Sequence, residues 1–146
     1  MMKYLILLSF VFVAVNGLSS QDASKLTKNI LKIGQECLKE IGASAADVTA
    51  IMQKKVPTTK EGKCLIFCVH QKIGFQQSSG KTNLPGIEGW INEMKSLDKG
   101  LGDKMQQIAD NCISSVDDSG DGCEVASVSF GCYVAKAKEL GVPMMI

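Results

Sequence analysis

The segment Lys60–Phe75, KEGKCLIFCVHQKIGF, decides the fold because it places Cys64 and Cys68 four residues apart. On a helix, residues at this spacing stack one turn apart on the same face. A disulfide between two stacked positions would have to bend the helix to reach its preferred geometry. We therefore expect the helix to be bonded to two different elements, one through each of these cysteines.

Apolar residues recur at intervals of three and four along the chain on both sides of this segment. This spacing is typical of amphipathic helices, and no segment has the alternation of a strand next to a hairpin turn. The sequence therefore predicts an all-α domain of about six helices. The expected helices cover about residues 24–41, 44–57, 59–73, 87–97, 103–116 and 122–140.

Capping and turn residues predict where these helices begin and end. A Ser or Asp followed three residues later by an acidic residue has the spacing of a capping box, and clusters of Gly, Ser, Asn and Pro favour loops. These signals are the Ser44–Asp47 and Asp121–Glu124 boxes, the polar loop over 76–86, a break at KGLG over 99–102, and Asp103 as the cap of the fifth helix.

The last predicted helix contains two further cysteines, Cys123 and Cys132, nine residues apart. At about 100° per residue they lie on nearly opposite faces and cannot bond to each other. Six cysteines allow fifteen pairings. Each of the two excluded pairs removes three, one of which is shared, so ten pairings remain open on geometry alone.

The N-terminus has the features of a secretory signal. A short basic start is followed by the apolar run Tyr4–Val15, which is too short to span a bilayer, and we expect cleavage after Gly17. The alternative is a membrane anchor, but no later stretch reaches the apolar length of a transmembrane helix. We therefore expect a signal peptide over 1–17, a single secreted domain over 18–146, and six cysteines engaged in disulfides.

Composition excludes several classes of function. All sixteen basic residues are Lys and the net charge is +1, so nothing favours nucleic acid or stable association with a membrane surface. A single His and the lack of a CxxC pair argue against a metal site. With every cysteine in a disulfide, no nucleophile and base remain for catalysis, so we expect neither an enzyme nor a cofactor.

The cysteine pattern C-x26-C-x3-C-x43-C-x10-C-x8-C, behind a signal peptide, closely resembles that of the insect pheromone- and odorant-binding proteins. The x3 and x8 spacings carry the resemblance, and it covers essentially all of the mature chain. It implies a compact six-helix fold around an apolar cavity. It also implies three interlocked disulfides, which are Cys37–Cys68, Cys64–Cys123 and Cys112–Cys132.

The resemblance implies a secreted carrier of a small apolar ligand, with an olfactory receptor as a further partner, working as a monomer or weak homodimer. Disulfides would keep a helical shell folded around a void lined by aliphatic, Met and aromatic side chains. In several relatives the C-terminal segment covers the pocket, and this chain ends in the apolar residues VPMMI. The candidate ligand-binding residues are Phe67, Phe75, Trp90, Met94, Met105, Phe130, Val134, Met144 and Ile146.

The sequence also contains two polar residues of interest, Tyr133 and His70. Tyr133 is either a polar group on the cavity wall or hydrogen-bonded within the core. His70 is expected to be a partly exposed residue of the Cys64–Cys68 helix rather than a pH switch.

One alternative function is a carrier of hormone or lipid in haemolymph or reproductive fluid, and a more distant one is a membrane-active, saposin-like defence protein.

Overall fold

The computed structural model describes residues 19–144, and six α-helices account for most of this span. Within it, the residues outside the helices contribute one isolated β-bridge, between Gln76 and Thr82. The expected signal peptide over 1–17 and the C-terminal Ile146 lie outside the described residues. The helices are α1 (Ser20–Ile41), α2 (Ala45–Met52), α3 (Lys60–Lys72), α4 (Leu84–Leu97), α5 (Lys99–Ser115) and α6 (Gly122–Glu139).

The all-α prediction is confirmed, and the early helix boundaries follow local capping chemistry. Ser44 and Asp47 form the expected capping box, in which the backbone N–H of each donates to the side chain of the other at 3.1 Å. Asp47 also accepts a 2.6 Å hydrogen bond from the Thr59 hydroxyl, and Thr59 caps α3. The Thr59 bond lowers the pKa of the Asp47 carboxyl, and it joins the starts of α2 and α3.

The prediction of a loop as far as residue 86 is wrong, because α4 already begins at Leu84. The side chain of Asn83 caps this helix, and Pro85 lies in its first turn. Proline is well suited to that position, since its φ is already helical and the first turn needs no backbone donor there. Pro85 therefore belongs to the start of a helix and not to the loop before it.

The predicted break at residues 99–102 is also wrong, because α5 begins at Lys99 and runs through the KGLG segment. Asp98 is the cap, accepting a hydrogen bond from Leu101 N at 2.9 Å, while Asp103 forms an ion pair with Lys99. Gly102 is needed for close helix packing, since a Cβ there would lie 2.6 Å from the backbone nitrogen of Lys95 on α4.

Only half of the capping box predicted for the last helix is present. Asp121 caps α6 as expected, accepting hydrogen bonds from the backbone nitrogens of Cys123 and Glu124. The Glu124 side chain does not complete the box. Its carboxylate instead accepts a 2.9 Å hydrogen bond from Lys63 Nζ, which links α6 to α3.

Three disulfides join the helices with the pairing that the family resemblance implied, and the described residues contain no free cysteine. Helix α3 is bonded to α1 through Cys68 and to α6 through Cys64, as the four-residue spacing predicted. The third bond joins α5 to α6. Each bond restricts the unfolded chain and so stabilises the fold, by roughly 3–4 kcal/mol in the chain-entropy model. The bonds are Cys37–Cys68, Cys64–Cys123 and Cys112–Cys132.

The buried apolar side chains form four small clusters rather than one continuous core. One surrounds the Cys37–Cys68 bond, one lies between α3 and α6 around Phe130, one joins α4 to α5 around Ile91, and one joins α5 to α6 around Cys112. Neighbouring clusters share helices, since α3 packs on both α1 and α6, and α5 packs on both α4 and α6. Among the described residues, no helix combines the length and apolar character needed to cross a membrane.

Candidate ligand cavity

A cavity of about 130 Å³ lies between α4, α5, α6 and the C-terminal segment, and we call it the aromatic cavity. Ile30 of α1 and His70 and Ile73 at the end of α3 close its other side. Its lining is almost wholly aliphatic, aromatic or Met, and includes no Lys, Asp or Glu. Such a wall favours an uncharged, apolar occupant.

Most of the candidate wall residues line this cavity. The structure brings together Phe75, Trp90, Met94, Met105, Phe130 and Met144. These residues come from the loop after α3, from α4, α5 and α6, and from the C-terminal segment. Their role in ligand binding remains a prediction, as does that of Ile146, which lies outside the described residues.

Two candidate residues, Phe67 and Val134, lie elsewhere, and this corrects the sequence-based set. Phe67 packs against the start of α6, where a Cβ on Gly122 would lie 2.6 Å from the ring. Val134 packs against the cluster that contains Ile66 and Phe130. Helical spacing predicts that such apolar side chains point into the protein. It does not predict whether they pack against another helix or line a cavity.

An aromatic group forms one end of the cavity, with Phe75 at its centre. The rings of Phe75 and Trp90 meet edge to face with centroids 5.4 Å apart. The Phe75 ring also lies 5.9 Å from His70 and 6.3 Å from Tyr133. Edge-to-face contacts of this kind orient rings against each other and hold the wall in one arrangement.

His70 is the main residue that the sequence analysis misplaced. It is 4% exposed, not partly exposed, and lies on the cavity wall. Its Nδ1 lies 3.0 Å from the side-chain oxygen of Gln76. Burial lowers the imidazole pKa to about 4, against a smaller opposing effect of the Gln76 hydrogen bond, so the ring is neutral near pH 7. His70 lies four residues after Ile66 and three before Ile73, so helical spacing places it on the same apolar face. This spacing was the sequence signal for its burial.

Tyr133, the other polar residue singled out in the sequence, lies on the wall of the aromatic cavity. Burial raises the pKa of its phenol to about 12, so the group stays protonated at any ordinary pH. No residue in the described part of the chain accepts from or donates to its hydroxyl. The second role considered for Tyr133, a hydrogen bond within the core, is therefore not seen among the described residues, and its role as a polar group of the cavity wall stays a prediction.

A second cavity, of about 190 Å³, lies between α1, α2 and α3, and we call it the aliphatic cavity. Its wall includes Leu65 and Val69 of α3, and this cavity was not predicted from the sequence. It shares Ile30, His70 and Phe130 with the aromatic cavity. These three side chains are therefore the partition between the two spaces.

The described part of the C-terminal tail reaches the aromatic cavity. Gly141 adopts a left-handed conformation that turns the chain, and Val142 N donates to Ala137 O at 2.8 Å. Val142, Pro143 and Met144 then line the cavity. Closure of the cavity by the tail, as a lid, remains a prediction.

No group of three or more His, Cys, Asp and Glu side chains within residues 19–144 is placed to hold a metal ion. Every buried side-chain nitrogen or oxygen that is sealed from the surroundings has a hydrogen-bond partner in this span. The chemistry available to the cavity is therefore packing against apolar groups and hydrogen bonding to a few polar atoms. This arrangement is suited to reversible binding.

Comparison with known proteins agrees with this geometry. A family model described as the PBP/GOBP family matches residues 19–136. General odorant-binding protein 28a of Drosophila melanogaster is 26% identical over 139 residues, covering 94% of this chain and 96% of the relative. General odorant-binding protein 19d of the same species is 27% identical over 113 residues, covering 77% of this chain and 75% of the relative.

Solved structures show the same fold. That of odorant-binding protein 28a from Drosophila melanogaster aligns with a TM-score of 0.68 at 26% identity, covering 83% of this chain and 99% of its own. A pheromone-binding protein from the cockroach Leucophaea maderae, in complex with the fluorescent reporter ANS, aligns with a TM-score of 0.59 at 18% identity. That alignment covers 79% of this chain and 95% of the cockroach chain.

Proposed function

The chain belongs to the PBP/GOBP family of insect odorant-binding proteins, and we propose that it carries an odorant, pheromone or similar lipophilic molecule through aqueous lymph. Members of this family are non-enzymatic carriers of small hydrophobic ligands. The observation that carries the proposal is the aromatic cavity, whose wall has no charged side chain and is almost wholly apolar. Because the chain belongs to this family, the saposin-like alternative is not proposed further.

The energetics of such a cavity suit a carrier that must also release its ligand. Burial of about ten methylene groups is worth roughly 8 kcal/mol before the costs of association. Association costs several kcal/mol and a micromolar affinity needs a net gain of about 8 kcal/mol, so aromatic and Met contacts beyond these methylene groups must offset the costs for the expected micromolar binding. The disulfides support this role because they keep the helices folded around space that a ligand fills.

We place the ligand among the candidate residues that line the aromatic cavity, with Phe75, Trp90 and Met105 as central contacts. Secretion fits the family, whose members are typically secreted, and requires the leader over 1–17 to be removed. Delivery to an olfactory receptor is the expected end point. Transport of a hormone or lipid in another fluid would use the same cavity, so it stays an alternative within the same function.

The test is displacement of an uncharged fluorescent probe, N-phenyl-1-naphthylamine, by apolar competitors. We expect saturable binding to the native protein at about micromolar concentration. Met105→Trp, which fills the cavity, should weaken binding by tenfold or more. Leu97→Trp adds the same side chain at an exposed site on α4 and is the matched control. Equal binding by all three proteins would show that the ligand does not occupy this cavity.

A further inference from the structure

The polar side chains on the wall of the aromatic cavity are His70, Trp90 and Tyr133. The rest of the described wall is aliphatic, Phe or Met. Since apolar contacts act through area and shape, these few polar groups determine which functional group of a ligand is favoured. The protonation of His70 is the decisive feature, because a neutral imidazole has one donor nitrogen and one acceptor nitrogen.

The hydrogen bonds of Gln76 fix the tautomer of His70. The side-chain nitrogen of Gln76 donates to the carbonyl oxygens of Gly80, at 2.9 Å, and Gly122, at 3.3 Å. The side-chain oxygen of Gln76 is therefore the atom that faces His70 Nδ1, at 3.0 Å. Flipping the amide would set its oxygen against two carbonyl oxygens. Because an amide oxygen only accepts, Nδ1 carries the proton and Nε2 presents a lone pair.

The Nε2 atom of His70 is the ring nitrogen without a hydrogen-bond partner among the described residues. In the described span, every side-chain nitrogen or oxygen without accessible surface has a hydrogen-bond partner. Because Nε2 has no partner, it must keep some accessible surface. Low pKa keeps it an acceptor at neutral pH. The Tyr133 ring, whose hydroxyl also has no partner in this span, lies 6.2 Å from the imidazole between centroids.

We propose that the cavity selects apolar ligands that carry a hydroxyl group, which donates to His70 Nε2 and accepts from the Tyr133 hydroxyl. The proposal rests on the carrier function above and adds the ligand class. An ether, ester or aldehyde accepts from Tyr133 but gives nothing to Nε2. A carboxylate would place its anionic oxygens near a lone pair, in a wall that contains no Lys to balance the charge.

The expected selectivity is set by one neutral hydrogen bond, which corresponds to about a 3- to 10-fold difference in dissociation constant. Decanol and methyl nonyl ether have the same formula, so they compare a donor with a non-donor at equal size. Both are titrated against bound N-phenyl-1-naphthylamine. The quantity to measure is the ratio of the affinities for decanol and the ether. Comparing this ratio between the native protein and variants of residue 70 cancels the different solvation of the two compounds in water.

Two variants separate the two nitrogens of His70. In His70→Asn, the side-chain amide can still donate to Gln76 from near the Nδ1 position, but nothing replaces Nε2. In His70→Gln, the longer side chain returns an acceptor oxygen to the Nε2 position. We expect the preference for decanol to fall by about 3- to 10-fold in His70→Asn and to recover in His70→Gln.

Nitrogen-15 NMR of histidine-labelled protein tests the tautomer directly, since the chain contains a single His. We expect the proton on Nδ1, and decanol should perturb the Nε2 resonance more than the ether does. A proton on Nε2, or an alcohol-to-ether ratio unchanged in His70→Asn, would overturn the hydroxyl proposal while leaving the carrier function standing. If neither compound displaces the probe from the native protein, both proposals fail together.

Discussion

Acidification below pH 7 should destabilise this fold first through one buried side chain, His70. The imidazole is packed against the rings of Phe75 and Tyr133 and hydrogen-bonded to Gln76. None of these groups is charged between pH 4 and pH 7, since burial raises the pKa of Tyr133 to about 12. Among these groups only the Gln76 hydrogen bond favours an imidazolium ion, and its effect is smaller than the cost of burying the charge.

The sign and size of the effect follow from the difference in pKa. His70 has a pKa of about 4 in the folded protein and an ordinary value of 6.5 when exposed. Between these values the unfolded chain binds more protons, so the free energy of unfolding falls as the pH falls. At about 1.4 kcal/mol per pH unit, the loss reaches about 3 kcal/mol at pH 4 and levels off below it. Domains are typically stable by only about 5–15 kcal/mol.

The measurement is guanidinium unfolding with the disulfides intact, at pH 7, 6, 5 and 4. The fluorescence of Trp90 reports on it, because this is the only Trp of the chain and its ring packs against Phe75, which in turn packs against His70. His70→Asn keeps a donor for Gln76 and cannot titrate. Between pH 7 and pH 4 its free energy of unfolding should therefore fall by about 3 kcal/mol less than that of the native protein. Parallel curves for the two proteins would refute the assignment of a buried neutral His70.

The remaining predictions concern α4 and the tail. Gly86→Ala should lower the free energy of unfolding by about 1–3 kcal/mol, because its Cβ would collide with the carbonyl oxygen of Gly74. Gly89→Ala, one turn later on the same helix and facing open space, should instead raise it by about 1 kcal/mol. Denaturant unfolding of both compares them, and equal effects would contradict the close approach. Deleting residues 142–146 should weaken probe binding by on the order of tenfold, because three described wall residues are lost. Unchanged affinity and release would exclude a lid.

The sequence was informative where a feature depends on neighbours along the chain. The helical class follows from apolar spacing, and the Ser44–Asp47 box follows from two residues that lie within one turn. Disulfide pairing is different, since geometry left ten arrangements open and only the resemblance selected one. The pairing depends on which helices meet in space, and local spacing does not contain that information.

The errors at helix starts have the same origin. The sequence predicted Asp103 as the cap of α5 after a break at the two glycines before it, whereas the cap in the structure is Asp98. The helix runs through that segment, and Gly102 is there because the backbone of α4 approaches it too closely for a side chain. A glycine required by a neighbouring helix looks, in sequence, the same as a glycine that ends a helix.

His70 shows how a polar residue on an apolar helix face can indicate a ligand site. A Leu at this position would fill similar space and would not oppose folding at low pH. The imidazole instead needs Gln76, and Gln76 in turn is held by the carbonyls of Gly80 and Gly122. This chain of hydrogen bonds leads from the carbonyls of a buried loop glycine and of the first residue of α6 to one lone pair on a wall shared by both cavities. A core that only had to pack would gain nothing from that lone pair, whereas a carrier that distinguishes alcohols from ethers requires it.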